Sequence, residues 1–220
     1  MAYLPKEALT LTGGCCCKAI RYTVHIPAWD QRPAVPGALK TPISVSEDIE
    51  TRMPLIDLDH CNSCREVSGA IIQTWLIVPV DWVEWDLARL DKAGIAEMSP
   101  RTVLSTVDAV GPIETDTTSP QTYVTRFNRS ERATRAFCSR CGTNLTYLSH
   151  KRLNTPMAFV DITVGTLDRE HLEMVKPDRH GWWDSGVGWI KELLRHGDGG
   201  FMIRHATNDV SKELEDNVKG

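Results

Sequence analysis

Seven cysteines gathered into three tight groups constrain this chain more than any other feature of it. The clearest group is Cys138-Ser-Arg-Cys141-Gly142, a CxxC pair followed by a glycine that lets the backbone fold back over the two sulfurs. Tetrahedral zinc held by thiolates takes two close ligands from each of two segments, and this turn supplies one half. Gly13-Gly14-Cys15-Cys16-Cys17 offers a CxC pair for the other half, with Cys16 as the spare, its side chain facing away from its neighbours on a strand. The set expected for a structural zinc is therefore Cys15, Cys17, Cys138 and Cys141, which ties two distant parts of the chain at one ion. The competing reading is a group of buried thiols beside a lone redox pair.

The third group, Asp59-His60-Cys61-Asn62-Ser63-Cys64, is thinner. Asp59, Cys61 and Cys64 supply two thiolates and one carboxylate, leaving a fourth position for water or a thiol, as catalytic zinc requires. Zinc there would lower the pKa of an incoming thiol and hold it as a nucleophile. His60 is a rival third ligand. Against the metal reading stands Asp59 as a cap for the helical turn that follows, with Cys61 and Cys64 an empty or redox-active pair.

The rest of the chain reads as scaffold for these groups. At 220 residues it suits a single domain with loop insertions. Residues 17–26 alternate as a strand with Ile20, Tyr22, Val24 and Ile26 on one face. Residues 70–79 are β-branched and aromatic, a buried strand. Further strands are expected at 123–130, 133–137, 145–148 and 157–164, with the CxxC pair at the tip of a hairpin and one or two helical turns at 189–194. Residues 1–11 form a lead-in without clear period, 28–54 and 86–120 two insertions, the second with a short helix near 87–95, and 196–220 a polar tail. Many short strands without βαβ rhythm define an all-β domain.

A net charge of −4 speaks against nonspecific binding to nucleic acid. Neither a signal peptide nor a membrane-spanning run is seen, and clustered thiols suit a reducing compartment, so a cytoplasmic protein is expected. Arg126, Arg129, Arg132, Arg135 and Arg140 lie within fifteen residues and on a hairpin could line one face as an anion site; the alternative is a solvated charged face.

Three stretches together resemble the signatures of the glutathione-dependent formaldehyde-activating enzyme family, which also includes centromere protein V. They are Gly13-Gly14-Cys15-Cys16-Cys17 through Tyr22, Cys61-Asn-Ser-Cys64-Arg65 through Gly69, and Arg135-Ala-Phe137-Cys138-Ser-Arg-Cys141-Gly142-Thr143. Asp161 through Asp168 and His180 through Ser185 are similar to its later motifs, so the resemblance runs from about residue 12 to 195. It implies an Mss4-like β-tent with two zinc sites, one structural from CxC plus CxxC and one catalytic from CxCxxC. This chain departs at the catalytic motif, where Asp59 stands in place of the first cysteine. Aspartate is a harder ligand than thiolate, which alters both zinc affinity and thiol exchange.

The activity the resemblance implies is addition of glutathione to formaldehyde, giving S-hydroxymethylglutathione, a carbon–sulfur lyase reaction on a small thiol and aldehyde. Arg65 and His180 are then candidates to hold the peptide carboxylates or assist proton transfer. The second reading is a noncatalytic zinc module for a protein or nucleic-acid partner.

Overall fold

The computed structural model describes residues 4–35, 37–38, 50–90, 100–113, 121–200, 202 and 204. Residues 39–49, 91–99 and 114–120 of the two expected insertions, and most of the expected tail, lie outside the described residues.

Two antiparallel sheets make the fold. The first has four strands in the order β1 (Leu9–Gly14), β2 (Ile20–Ile26), β5 (Val83–Ala88) and β6 (Arg101–Ser105). The second has seven, in the order β11 (Arg179–Gly181), β3 (Leu55–Asp59), β4 (Gln73–Pro79), β10 (Phe159–Thr163), β9 (Asn144–Ser149), β8 (Ala133–Cys138) and β7 (Val124–Ser130). Its pairs are antiparallel except β11 on β3. Among the described residues five short α-helices connect them: α1 (Asn62–Ser68), α2 (Thr106–Val110), α3 (His150–Leu153), α4 (Arg169–Leu172) and α5 (Gly188–His196). No helix among the described residues is long and apolar enough to cross a membrane.

The main core lies between the sheets. In β2 the predicted face is the buried one, with Ile20, Tyr22, Val24 and Ile26 shielded from solvent. Tyr22 sits opposite Trp85 of β5, ring centroids 5.2 Å apart, and the Trp85 indole N–H donates to Thr106 Oγ1 at 3.2 Å, so its buried polar edge is satisfied. The second sheet contributes Ile56, Leu76, Val78, Ala136, Leu145, Leu148, Val160 and Ile162 to the same core. Burying each aliphatic side chain of this size contributes about 1.5–3 kcal/mol, so the interface supplies the principal driving force.

Several elements differ from the sequence expectations. The lead-in contributes β1, where Leu9 and Leu11 alternate with threonines and Leu11 enters the core. The CxC pair sits in the turn between β1 and β2 rather than on a strand, and β2 begins at Ile20. Residues 83–88 are a strand, so the helix expected from Leu87 does not form there, and 101–105 add the edge strand β6 to the first sheet. The segment read as the first insertion is not wholly surface: Arg32 is buried, donating to the carbonyls of Pro27, Pro5 and Glu7 at 2.8, 2.6 and 3.1 Å.

The sheets are also tied by charge. The Arg21 guanidinium forks onto Asp168, with Nη1 to Oδ1 at 2.9 Å and Nη2 to Oδ2, and Thr12 Oγ1 donates to Asp168 Oδ2 at 2.5 Å. These contacts hold the Asp168 carboxyl well below its usual value, at about 2. A depressed folded-state pKa stabilises above the unfolded value and is lost as pH falls through the folded one. Asp168→Asn is therefore expected to cost about 1 kcal/mol near neutrality, given that the pair is partly exposed. In urea unfolding this difference from wild type should shrink as pH falls from about 4 towards 2. A difference independent of pH over that window contradicts the assignment.

Candidate metal centres

The four expected zinc ligands converge. Ligand atoms of Cys15, Cys17, Cys138 and Cys141 all lie within 4.8 Å of one another. Cys15 and Cys17 sulfurs are 3.5 Å apart, and Cys17 and Cys138 sulfurs 3.7 Å. Thiolates about 2.3 Å from a tetrahedral ion sit about 3.8 Å from each other, so the spacing fits zinc, while every one of the seven cysteines is free of disulfide. Gly142 adopts φ of 75°, the left-handed conformation the motif calls for, and its N–H donates to Cys138 O at 2.8 Å. Cys16 is the exposed spare, because the 15–17 turn points it outward.

The surroundings of these sulfurs are unequal. Burial pushes the Cys138 thiol up. Burial also acts upward on Cys141, but donors from the Thr143 hydroxyl and the Thr143 and Cys17 backbone outweigh it and bring it down to about 6. Thr143 Oγ1 lies 3.2 Å from Cys141 Sγ and accepts from the Cys16 N–H at 3.2 Å, so one hydroxyl bridges the two ligand segments.

The second cluster forms on the opposite face of the seven-stranded sheet. Strand β3 sends Ile56 into the main core, so its alternation turns Asp57 and Asp59 the other way. The chain then leaves β3, and α1 begins at Asn62 with Cys61 as its N-cap residue and Cys64 on its first turn. Ligand atoms of Asp59, Cys61 and Cys64 all lie within 4.8 Å of one another. Asp59 is buried and held: Oδ1 accepts from the Cys61 N–H and Oδ2 from the Trp75 indole N–H, each at 2.9 Å. Asp59 does not cap the helix, whose N-cap residue is Cys61 with no side-chain capping bond; its bond to the Cys61 N–H is a turn ahead of the helix. A carboxylate oxygen has two acceptor sites, so these bonds orient Asp59 without exhausting it.

His60 turns away from the cluster. Its Nε2 lies 3.1 Å from His180 Nδ1, and both imidazoles pack on Trp183 with ring centroids 5.1 and 4.6 Å away. The approach needs Gly186, where a Cβ would stand 2.7 Å from His60 Nδ1. His180 is carried by β11, whose residues pair with β3 in parallel, and the His60 N–H donates to Gly181 O at 2.9 Å. Burial lowers both imidazoles, His60 further through the His180 charge, so neutral rings that can accept a proton are favoured. His60 does not join the Asp59, Cys61 and Cys64 cluster.

Arg65 lies on α1 with its guanidinium 3.4 Å from Glu66 Oε1. The arginine that reaches the cluster is Arg135 of β8, buried, with Nη2 donating to Cys64 Sγ at 3.3 Å. A charged residue three positions before the CxxC pair is the signal that could have found it. Arg126 and Arg135 do not share a face: Arg126 stands opposite Ala136 and Arg135 opposite Phe127, so adjacent strand positions separate them. Arg126 Nη1 donates to Pro112 O at 3.3 Å, and Arg140 lies over the Tyr123 ring at 6.0 Å.

Burial pushes Cys64 up to about 12, partly offset by Arg135 and reinforced by Asp59. Burial, then the charges of Asp59 and Asp161, pushes Asp57 up to about 7.

Fold and clusters together define a class: a β-rich, two-sheet protein with one four-cysteine group and one three-ligand group, each able to hold a metal ion, the architecture expected of an Mss4-like β-tent. The model of the glutathione-dependent formaldehyde-activating enzyme family matches residues 91–185. The matched stretch contains Arg135, Cys138, Cys141 and His180; Cys15, Cys17, Asp59, Cys61 and Cys64 lie before it and are brought to it by the fold. No curated protein matches the chain.

Cys138→Ser is expected to lose one bound metal per chain and to unfold or precipitate, since four thiolates close the first cluster and metal binding there contributes to folding. A folded variant that keeps the wild-type metal content by mass spectrometry contradicts this.

Proposed function

We propose that the protein is a zinc-dependent carbon–sulfur lyase-like enzyme that joins a small thiol, of the glutathione type, to formaldehyde or a related small aldehyde. The observation that carries this reading is the incomplete ligand set of Asp59, Cys61 and Cys64. The first cluster has four sulfurs and no vacancy, so it acts as structure. The second has three ligands and room for a fourth, which is where chemistry belongs.

Zinc bound there supplies a positive centre that holds the incoming thiol as thiolate. The protein's own groups do the rest. Asp59, fixed by the Cys61 amide and the Trp75 indole, and Cys64, fixed on α1, orient the cluster. In the addition the thiolate sulfur bonds to the aldehyde carbon, the C=O π pair moves to oxygen, and that oxygen takes a proton. The thiol proton passes to solvent and a solvent proton returns to the new hydroxyl, so the addition balances. Free thiols throughout fit the cytoplasm.

A noncatalytic zinc module for a protein or nucleic-acid partner is the second reading, favoured by the two hydrogen bonds that already engage Asp59. Calorimetric titration separates the two. The zinc-loaded protein is expected to bind glutathione at millimolar concentration or below and to accelerate exchange between free and hydroxymethylated glutathione, read by NMR. Asp59→Ala is expected to weaken binding by at least about tenfold, about 1.4 kcal/mol. No binding at millimolar glutathione contradicts the enzyme reading and leaves the module.

A further inference from the structure

Arg135 is 4% exposed, and its charge acts on the Asp161 carboxyl without forming an ion pair with it. Among the described residues no aspartate or glutamate lies within ion-pair distance of its guanidinium. The buried acid nearest in register, Asp161, stands opposite Tyr147 and is taken by Arg152, whose Nη1 donates to both carboxylate oxygens at 2.8 and 2.9 Å. Asp59 is taken by the Cys61 amide and the Trp75 indole. Arg135 instead places its Nη2 on Cys64 Sγ at 3.3 Å and its Cζ 4.8 Å from the Tyr147 ring centroid, and its Nη1 is buried without a partner. A buried guanidinium with an orphaned donor is costly unless an acceptor completes it.

The charge balance of the second cluster says what that anion is. Asp59, Cys61 and Cys64 bring three negative charges to a dication, and an incoming thiolate brings a fourth. The fork of a guanidinium presents two parallel donors; one already lies on a cluster sulfur, and the other is free to meet a second sulfur beside it. We infer that Arg135 is a binding residue for the fourth ligand: its charge offsets the excess negative charge, and its Nη1 donates to the sulfur of an incoming thiolate next to Cys64. This rests on the second cluster holding a metal, and it deepens that reading by making the site selective for an anionic fourth ligand over a neutral one.

Cobalt-substituted protein with 2-mercaptoethanol as the probe thiol tests it, through the sulfur-to-cobalt charge-transfer bands. Wild type is expected to hold two cobalt ions and to take up one thiolate saturably. Arg135→Met is expected to keep both ions and to bind the thiolate at least about tenfold more weakly. Arg135→Lys, which keeps the charge and loses the fork, is expected to fall between them, and it decides the matter if the Met variant does not fold. A folded variant with lowered melting temperature but wild-type thiolate affinity means that Arg135 serves packing alone, and overturns this inference while leaving the metal reading standing. A wild-type protein with a single cobalt overturns both.

Discussion

The convergence of four sulfurs from two distant parts of the chain is the constraint on which the rest of the structure depends. Cys15 and Cys17 sit in the turn between β1 and β2 of one sheet, and Cys138 ends β8 of the other. Bringing their sulfurs to 3.5–3.7 Å separations fixes how the sheets meet. The backbone reinforces this locally, since Asp168 N–H donates to Thr12 O at 2.9 Å and Gly13 bridges Leu167. Four thiols held this close without an ion or a disulfide would be poorly satisfied, so the geometry itself argues for a metal.

With the sheets clamped, the seven-stranded sheet has two unlike faces. One is apolar and closes the core. The other gathers Asp57, Asp59, Trp75, Tyr147 and Asp161, and is covered in part by α1. Most polar groups buried there are committed, Trp75 to Asp59, Arg152 to Asp161 and Arg135 Nη2 to Cys64, while Asp57 Oδ1 and Arg135 Nη1 have no partner. The second cluster is thus held by a rigid sheet on one side and the first turn of a helix on the other, which is what a reactive site needs to keep its ligands in place while a fourth position exchanges.

Much of this was legible in the sequence, and the exceptions have physical causes. Paired cysteines announce metal ligation by spacing alone, so both clusters and the spare Cys16 could be read from the residues. Strands with strong alternation, such as Ile20–Ile26, were equally clear. Strand β1 was missed because two leucines among threonines make too short a pattern, and β11 because Arg-His-Gly has no strand preference and pairs only by lying alongside β3. Arg135 read as one of a run of solvated charges; burial by a partner 71 positions away cannot be seen from its neighbours. Arg32 was hidden for the same reason. His60 looked like a ligand because it adjoins Asp59, yet it turns to His180, a pairing set by the parallel β11 contact.

The central claim is that one fold holds two metal ions in unlike clusters, one closed by four thiolates and one left open. Native mass spectrometry of the wild-type chain, with metal identified by elemental analysis, tests it most directly. The account predicts two zinc ions per chain, the second removed by mild chelation while the protein stays folded and keeps the first. A single ion per chain, or two that leave together with unfolding, contradicts it.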